Sequence, residues 1–169
     1  MKTVKVLLPV ILVALMFCLT GCKEKEIVVP QSQEPDFTIK EGIEIDWDQI
    51  MTDCQDLLCE EDYPYGSYLD FAVHDEDNTV ELIWPLKAEC PKEEAVEYGV
   101  AYIRAFNDAC STQDFGIAMS TEDYYGGYWD DHTIDIQVFW ENDIMEPDNY
   151  LINQIIEAGT NAPVELQKK

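Results

Sequence analysis

From residue 42 onward the apolar positions follow two rhythms, one helical and one alternating. Ile50, Met51, Cys54, Leu57 and Leu58 recur on one face of a helix. Asp46, with Gln49 three residues on, has the form of a capping box that opens it, and Tyr63 to Gly66 closes it. Leu69, Phe71 and Val73 then alternate with Tyr68, Asp70 and Ala72, which predicts a half-buried strand. The turn "DEDN", Asp75 to Asn78, leads to Val80, Leu82 and Trp84 alternating with Thr79, Glu81 and Ile83, the second arm of a hairpin. Pro91 suits a first helical position, and Glu93 and Glu94 suit the positive end of a helix dipole. Val96, Gly99, Val100, Ile103 and Phe106 are the predicted buried stripe of this second helix, which is expected to stop between Asn107 and Ser111. Phe115, Ile117 and Met119 predict a third strand running toward Tyr125, and Ile134, Ile136, Val138 and Trp140 a fourth. Glu146-Pro147-Asp148 then opens a short helix carrying Leu151, Ile152, Ile155 and Ile156, closed by Gly159.

The predicted order is α-β-β-α-β-β-α. With hairpins between strands, it implies an α+β fold in which an antiparallel sheet of about four strands carries helices on one face. Residues 42–169 form a single domain in this reading.

The N-terminus follows a different pattern. Lys2 and Lys5 precede an apolar run from Val6 to Leu19, shorter than the roughly 20 residues a transmembrane helix needs, and it fits the core of a secretory leader. The run ends in Leu19-Thr20-Gly21-Cys22, which resembles the lipobox of bacterial membrane lipoproteins. That resemblance implies a signal peptide over residues 1–21, cleavage before Cys22, and a Cys22 sulfur carrying diacylglycerol, with acyl chains of the palmitate type. It also implies a location outside the cytoplasm, lipid-anchored to the cell membrane. Residues 22–41 are charged, contain Pro30 and Pro35 and lack either rhythm, so they are expected to tether the anchor to the domain.

Charge narrows the partners. The chain holds 35 acidic and 10 basic residues, for a formal net charge of −25, and two of the basic residues, Lys2 and Lys5, lie in the leader. Between Glu41 and Gln167 the only bases are Lys87, Lys92 and Arg104. Such a surface repels polyanions, which excludes nucleic acid as the expected partner, and attracts cations and basic protein surfaces.

With Cys18 in the leader and Cys22 lipidated, Cys54, Cys59, Cys90 and Cys110 are disulfide candidates for an exported chain. Their spacing matches neither a usual zinc site nor a Cys-x-x-Cys redox pair. A continuous second helix would hold Cys90 and Cys110 roughly 30 Å apart, far beyond the roughly 7 Å a bridge allows between Cα atoms. Cys54–Cys110, both on apolar faces, is the favoured single bridge.

Catalytic signatures are weak. Ser67, Ser111 and Ser120 lack a nucleophile elbow, and no phosphate-binding glycine loop occurs. His74 and His132 read as polar residues at strand ends. Asp75, Asp77 and Thr79 alternate as in a calcium loop, but the turn glycine and the distal glutamate are missing. No cofactor, metal or catalytic residue is assigned.

The strongest candidate for recognition is "EDYYGGYWDD", Glu122 to Asp131, against the structural reading that its aromatics serve a strand and that Gly126-Gly127 marks a bulge or close packing. Its Tyr124, Tyr125, Tyr128, Trp129, Asp130 and Asp131 combine the aromatic and acidic residues of interaction surfaces. The stretch echoes "EDYPYGSYLD", Glu61 to Asp70, with Gly126 placed on Gly66 at an offset of 60 residues, but the flanking helices and strands do not align, so no module is repeated. The functional expectation is a non-enzymatic, membrane-anchored binding or accessory module for a protein or peptide partner. The alternative is a lipoprotein that captures a cation or glycan through its acidic and aromatic loops.

Overall fold

The computed structural model describes residues 43–168, which lie within one compact unit, Phe37–Lys169. The expected leader, lipidated Cys22 and tether fall outside the described residues. Among the described residues, two α-helices and a four-stranded sheet follow in the order α1 (Trp47–Leu57), β1 (Asp70–His74), β2 (Thr79–Leu86), α2 (Ala95–Gln113), β3 (Thr133–Trp140) and β4 (Ile152–Ile156). Among the described residues no helix is long and apolar enough to cross a membrane.

The first helix opens on half of the expected capping box. The Gln49 amide donates to Asp46 Oδ1 at 3.1 Å, but the Gln49 side chain turns outward to Asp53. The Asp46 backbone is held by Gln113, at the far end of α2. Its N–H donates to Gln113 Oε1 at 2.7 Å, and its carbonyl accepts from Gln113 Nε2 at 3.1 Å. The start of α1 is thereby fixed to the end of α2.

The sheet runs β1-β2-β3-β4. Pairs β1–β2 and β3–β4 are antiparallel, but β2 and β3 are parallel, with Val80, Leu82 and Trp84 opposite Ile134, Ile136 and Val138. The sheet is therefore mixed, a correction to the antiparallel expectation with a simple cause. Phe115 and Met119 are exposed and no strand forms there, so the chain leaves β2, passes through α2 and re-enters the sheet at β3. A crossover of that length joins parallel neighbours.

The helices meet one face of the sheet. Trp84 of β2 touches Tyr98 and Tyr102 of α2, with ring centroids 4.9 and 5.8 Å apart. Phe71 of β1 meets both Trp47 of α1 and Phe106 of α2. At one end of the opposite face, Phe139 is covered by Tyr150, stacked at 4.2 Å.

Two further expectations change. The second helix runs on past its predicted stop to Gln113, and Asn107, Cys110 and Ser111 are buried within it. The predicted third helix is instead strand β4. Ile152 and Ile156 are buried and Ile155 is exposed, the pattern of a strand. The residue pointing inward between them is polar. Gln154 donates to the Pro163 carbonyl at 3.0 Å and accepts from the Glu165 amide at 2.9 Å, so its amide group is satisfied by the C-terminal segment.

Candidate functional site

The 122–131 loop does not form an aromatic platform. Tyr125, Tyr128 and Trp129 are each less than a tenth exposed and belong to the hydrophobic core. Tyr128 packs edge-on against Phe106 and stacks on His132, 4.1 Å between ring centroids. Trp129 donates its indole N–H to the Ile103 carbonyl at 3.0 Å. Of the six expected binding residues, only Asp130 and Asp131 are exposed. Tyr124 is half-buried and donates its hydroxyl to Asp130 Oδ2 at 2.7 Å. Tyr128 and Trp129 pack on Phe106 of α2, and Tyr125 donates its hydroxyl to the Ala162 carbonyl, the ordinary use of large aromatic side chains in a core.

Asn107 holds this loop in place. Fully buried on α2, it accepts from the Tyr128 amide at 2.9 Å and donates to the Ala118 carbonyl at 3.1 Å. Its neighbour Asp108 accepts from the Ser120 amide and hydroxyl, both at 2.7 Å. Gly126 sits directly over Asn107 with φ 116° and ψ 165°, a conformation nearly reserved to glycine. A Cβ there would lie 1.9 Å from the Asn107 amide nitrogen. Gly126 therefore marks close packing against α2, and Gly127 close packing against Ala118, whose backbone nitrogen a Cβ would meet at 2.6 Å.

The first echo stretch also packs inward. Tyr63 lies against Trp84 and Tyr98, and Gly66 passes so close to the Trp84 indole that a Cβ would meet Nε1 at 2.9 Å. Tyr68, by contrast, is about half exposed.

The four cysteines among the described residues are free thiols, so the expected Cys54–Cys110 bridge is not formed. Cys54 and Cys110 are both fully buried, where α1 and α2 meet in the core. Burial, with a smaller effect from Asp53, pushes the Cys54 thiol up to about 12. Burial above all, then Cys54 itself, raises Cys110 further. Burial and then Glu94 raise Cys90 to about 11, and Cys59 is half-buried beyond the end of α1. Cys90 and Cys110 lie at opposite ends of α2, as the helix geometry requires.

The concave surface lies along the outer side of α2. A furrow of about 680 Å³ runs between α2 and the end of α1, floored by Leu57, Leu58, Val96, Val100 and Ala101 and rimmed by Glu93, Glu97 and Asp108. Leu57 is half exposed, and Val96 and Val100 are only half-buried, so these two do not belong to the buried stripe assigned to them. That stripe consists instead of Tyr98, Gly99, Tyr102, Ile103, Phe106, Ala109 and Cys110. At Leu58 and Tyr63 the furrow meets a second hollow of about 480 Å³ that holds the Lys87–Glu60 ion pair, at 2.9 Å. Past Val96, Val100 and Arg104 it meets a third hollow of about 310 Å³, lined by Glu122, Asp123, Tyr125 and Val164.

Arg104 stands where the furrow meets this third hollow. Its guanidinium Nη2 donates to the Glu122 carbonyl, and its Nε is buried without a hydrogen-bond partner. Among the described residues it forms no ion pair, although it stands among carboxylates. Burial raises the Tyr63 hydroxyl, and the positive charge of Arg104 partly opposes that rise.

On the uncovered sheet face, Glu81 and Asp135 sit directly opposite each other on β2 and β3. Gln137 Nε2 bridges them, at 2.8 Å to Glu81 and 3.4 Å to Asp135. Burial first, and then Glu81, raises the Asp135 carboxyl; the Gln137 hydrogen bond and His74 act the other way. Among the described residues no three histidine, cysteine or acidic side chains are grouped to hold a metal ion.

Comparison of the chain with protein-family models, curated proteins and solved structures finds no match.

Proposed function

We propose that the chain is an extracytoplasmic membrane lipoprotein whose domain binds a protein or peptide partner and performs no catalysis of its own. The observation that carries this reading is the apolar furrow along α2, open to solvent and rimmed by carboxylates in a chain of net charge −25. An open apolar surface of this kind is the usual mark of an interaction site. The acidic surroundings favour a partner segment that is basic. The lipid at Cys22 holds the module at the membrane, and residues 22–41 give it reach.

Two experiments test it. Labelling cells with radioactive palmitate is expected to mark the wild-type chain and not Cys22→Ser; label on neither chain would remove the anchor. Affinity capture of the full chain from native membranes at low salt is expected to recover a partner with a basic extracytoplasmic segment, released as salt rises. Recovery of nothing above background would count against the binding role.

A further inference from the structure

We infer that the α2 furrow is the seat of a basic, amphipathic peptide segment of the partner, and that Arg104 holds that segment by a backbone carbonyl. The inference rests on the binding role proposed above and names its surface and the chemistry of its ligand. Three features of the furrow fit three features of such a segment. The apolar floor of Leu57, Val96 and Val100 suits apolar side chains on one face of the peptide. The exposed Glu93 and Glu97 suit lysine or arginine on its flanks, and they disfavour an anionic membrane or a second copy of this acidic chain.

Arg104 is the third feature, and at first sight it opposes the other two. A cation among carboxylates ordinarily pairs with one of them, yet Arg104 does not. It spends one N–H on the Glu122 carbonyl, and its Nε is closed off from solvent. A neutral peptide carbonyl that meets the outer edge of this half-buried guanidinium accepts from it without adding negative charge to an acidic rim. The guanidinium then serves as a fixed donor at the furrow's junction with the third hollow.

The test uses the full chain in nonionic micelles and two fluorescent 14-residue probes, one alternating leucine and lysine in a helical pattern and one with glutamine for lysine. Uptake by micelles alone is subtracted. The leucine–lysine probe is expected to bind at least tenfold more tightly than the leucine–glutamine probe. Val96→Asp/Val100→Asp is expected to weaken it at least tenfold, although each aspartate adds charge of the attracting sign. Leu57→Asp, at an exposed position, gives the same readout should the double variant fold poorly. Arg104→Gln is expected to weaken binding about three- to tenfold, the size of one lost hydrogen bond.

Tighter binding in the aspartate variants would show diffuse attraction to an acidic surface, overturning the furrow but sparing the basic-partner reading. Equal affinity for the two probes would overturn both. Binding seen only after deletion of residues 23–40 would assign the furrow to the chain's own tether and overturn the inference. An Arg104→Gln chain that binds as wild type does would remove the carbonyl contact.

Discussion

Gly126→Ala examines whether the 122–131 loop is part of the core or a free surface. The backbone at Gly126 has φ 116°, which costs a residue with a side chain about 1–3 kcal/mol. The new methyl would also overlap the Asn107 amide, 1.9 Å from its nitrogen, so Asn107 has to move. Its movement breaks the bond from the Tyr128 amide and the bond to the Ala118 carbonyl. Each polar group left buried and unpaired costs about 1–3 kcal/mol. With partial relaxation, a loss of about 3–5 kcal/mol is expected, a large share of the 5–15 kcal/mol typical of a domain. Urea unfolding followed by tryptophan fluorescence measures it, because Trp129 is buried beside the altered turn. Gly159→Ala is the internal control. Its φ is 72°, but a Cβ there would approach nothing closer than the Asp130 carbonyl at 3.4 Å, so about 1 kcal/mol is expected. Asn107→Ala should make part of the Gly126→Ala cost disappear in the double variant, since the clash is with the Asn107 side chain. A Gly126→Ala loss no larger than that of Gly159→Ala would refute the packing account of this loop.

Alkylation at pH 8 should label Cys59 first and leave Cys54 and Cys110 unmodified until urea unfolds the domain, as read by mass spectrometry. With its thiol pushed up to about 12, Cys54 is almost wholly protonated at that pH. Asp135→Asn should stabilise the protein at pH 7 by a few tenths of a kcal/mol, the order of one like-charge cross-strand contact. The Asp135 carboxyl is raised in the folded state. The folded state therefore binds more proton than the unfolded one between the ordinary carboxylate value and the raised one, and stability falls as pH climbs through that window. The advantage of asparagine should accordingly vanish below pH 4 in thermal melts, and an advantage that persists there would contradict the assignment. Trp129→Phe should cost about 1–2 kcal/mol by urea titration, because it leaves the Ile103 carbonyl without its indole donor and opens space in the core.

Much of the fold was legible because its strands alternate cleanly. Val80, Leu82 and Trp84, and likewise Ile134, Ile136 and Val138, point into the core as their spacing requires. Strand β4 was not legible, because Ile152 and Ile156 are four residues apart, a spacing that suits either a helix or a strand. The inward residue that would have decided it, Gln154, is polar and bonded to a segment ten residues on. The parallel pairing of β2 and β3 was hidden for another reason. Phe115, Ile117 and Met119 alternate like a strand but include exposed residues beyond the end of α2, and alternation alone does not reveal burial.

The candidate site was misread in the same way. No core partner for the aromatics at 122–131 is visible in sequence: Tyr128 and Trp129 pack on Phe106 of α2, and Asn107, a polar residue inside that helix, holds the Tyr128 backbone. On α2, Tyr98 and Tyr102 read as polar yet lie in the core, which turns Val96 and Val100 toward the furrow. The spacing of Val96, Val100 and Arg104, four residues apart along one ridge, is the signal that could have revealed it.

The most direct measurement of where recognition occurs is carboxylate footprinting of the full chain with and without the leucine–lysine probe. Carbodiimide coupling modifies exposed acids, and mass spectrometry reports the yield at each one. The furrow account predicts protection of the exposed Glu93 and Glu97 by the probe, with Asp130 and Asp131 unchanged. Protection of Asp130 and Asp131, with the α2 carboxylates unchanged, would contradict it and return recognition to the 122–131 loop.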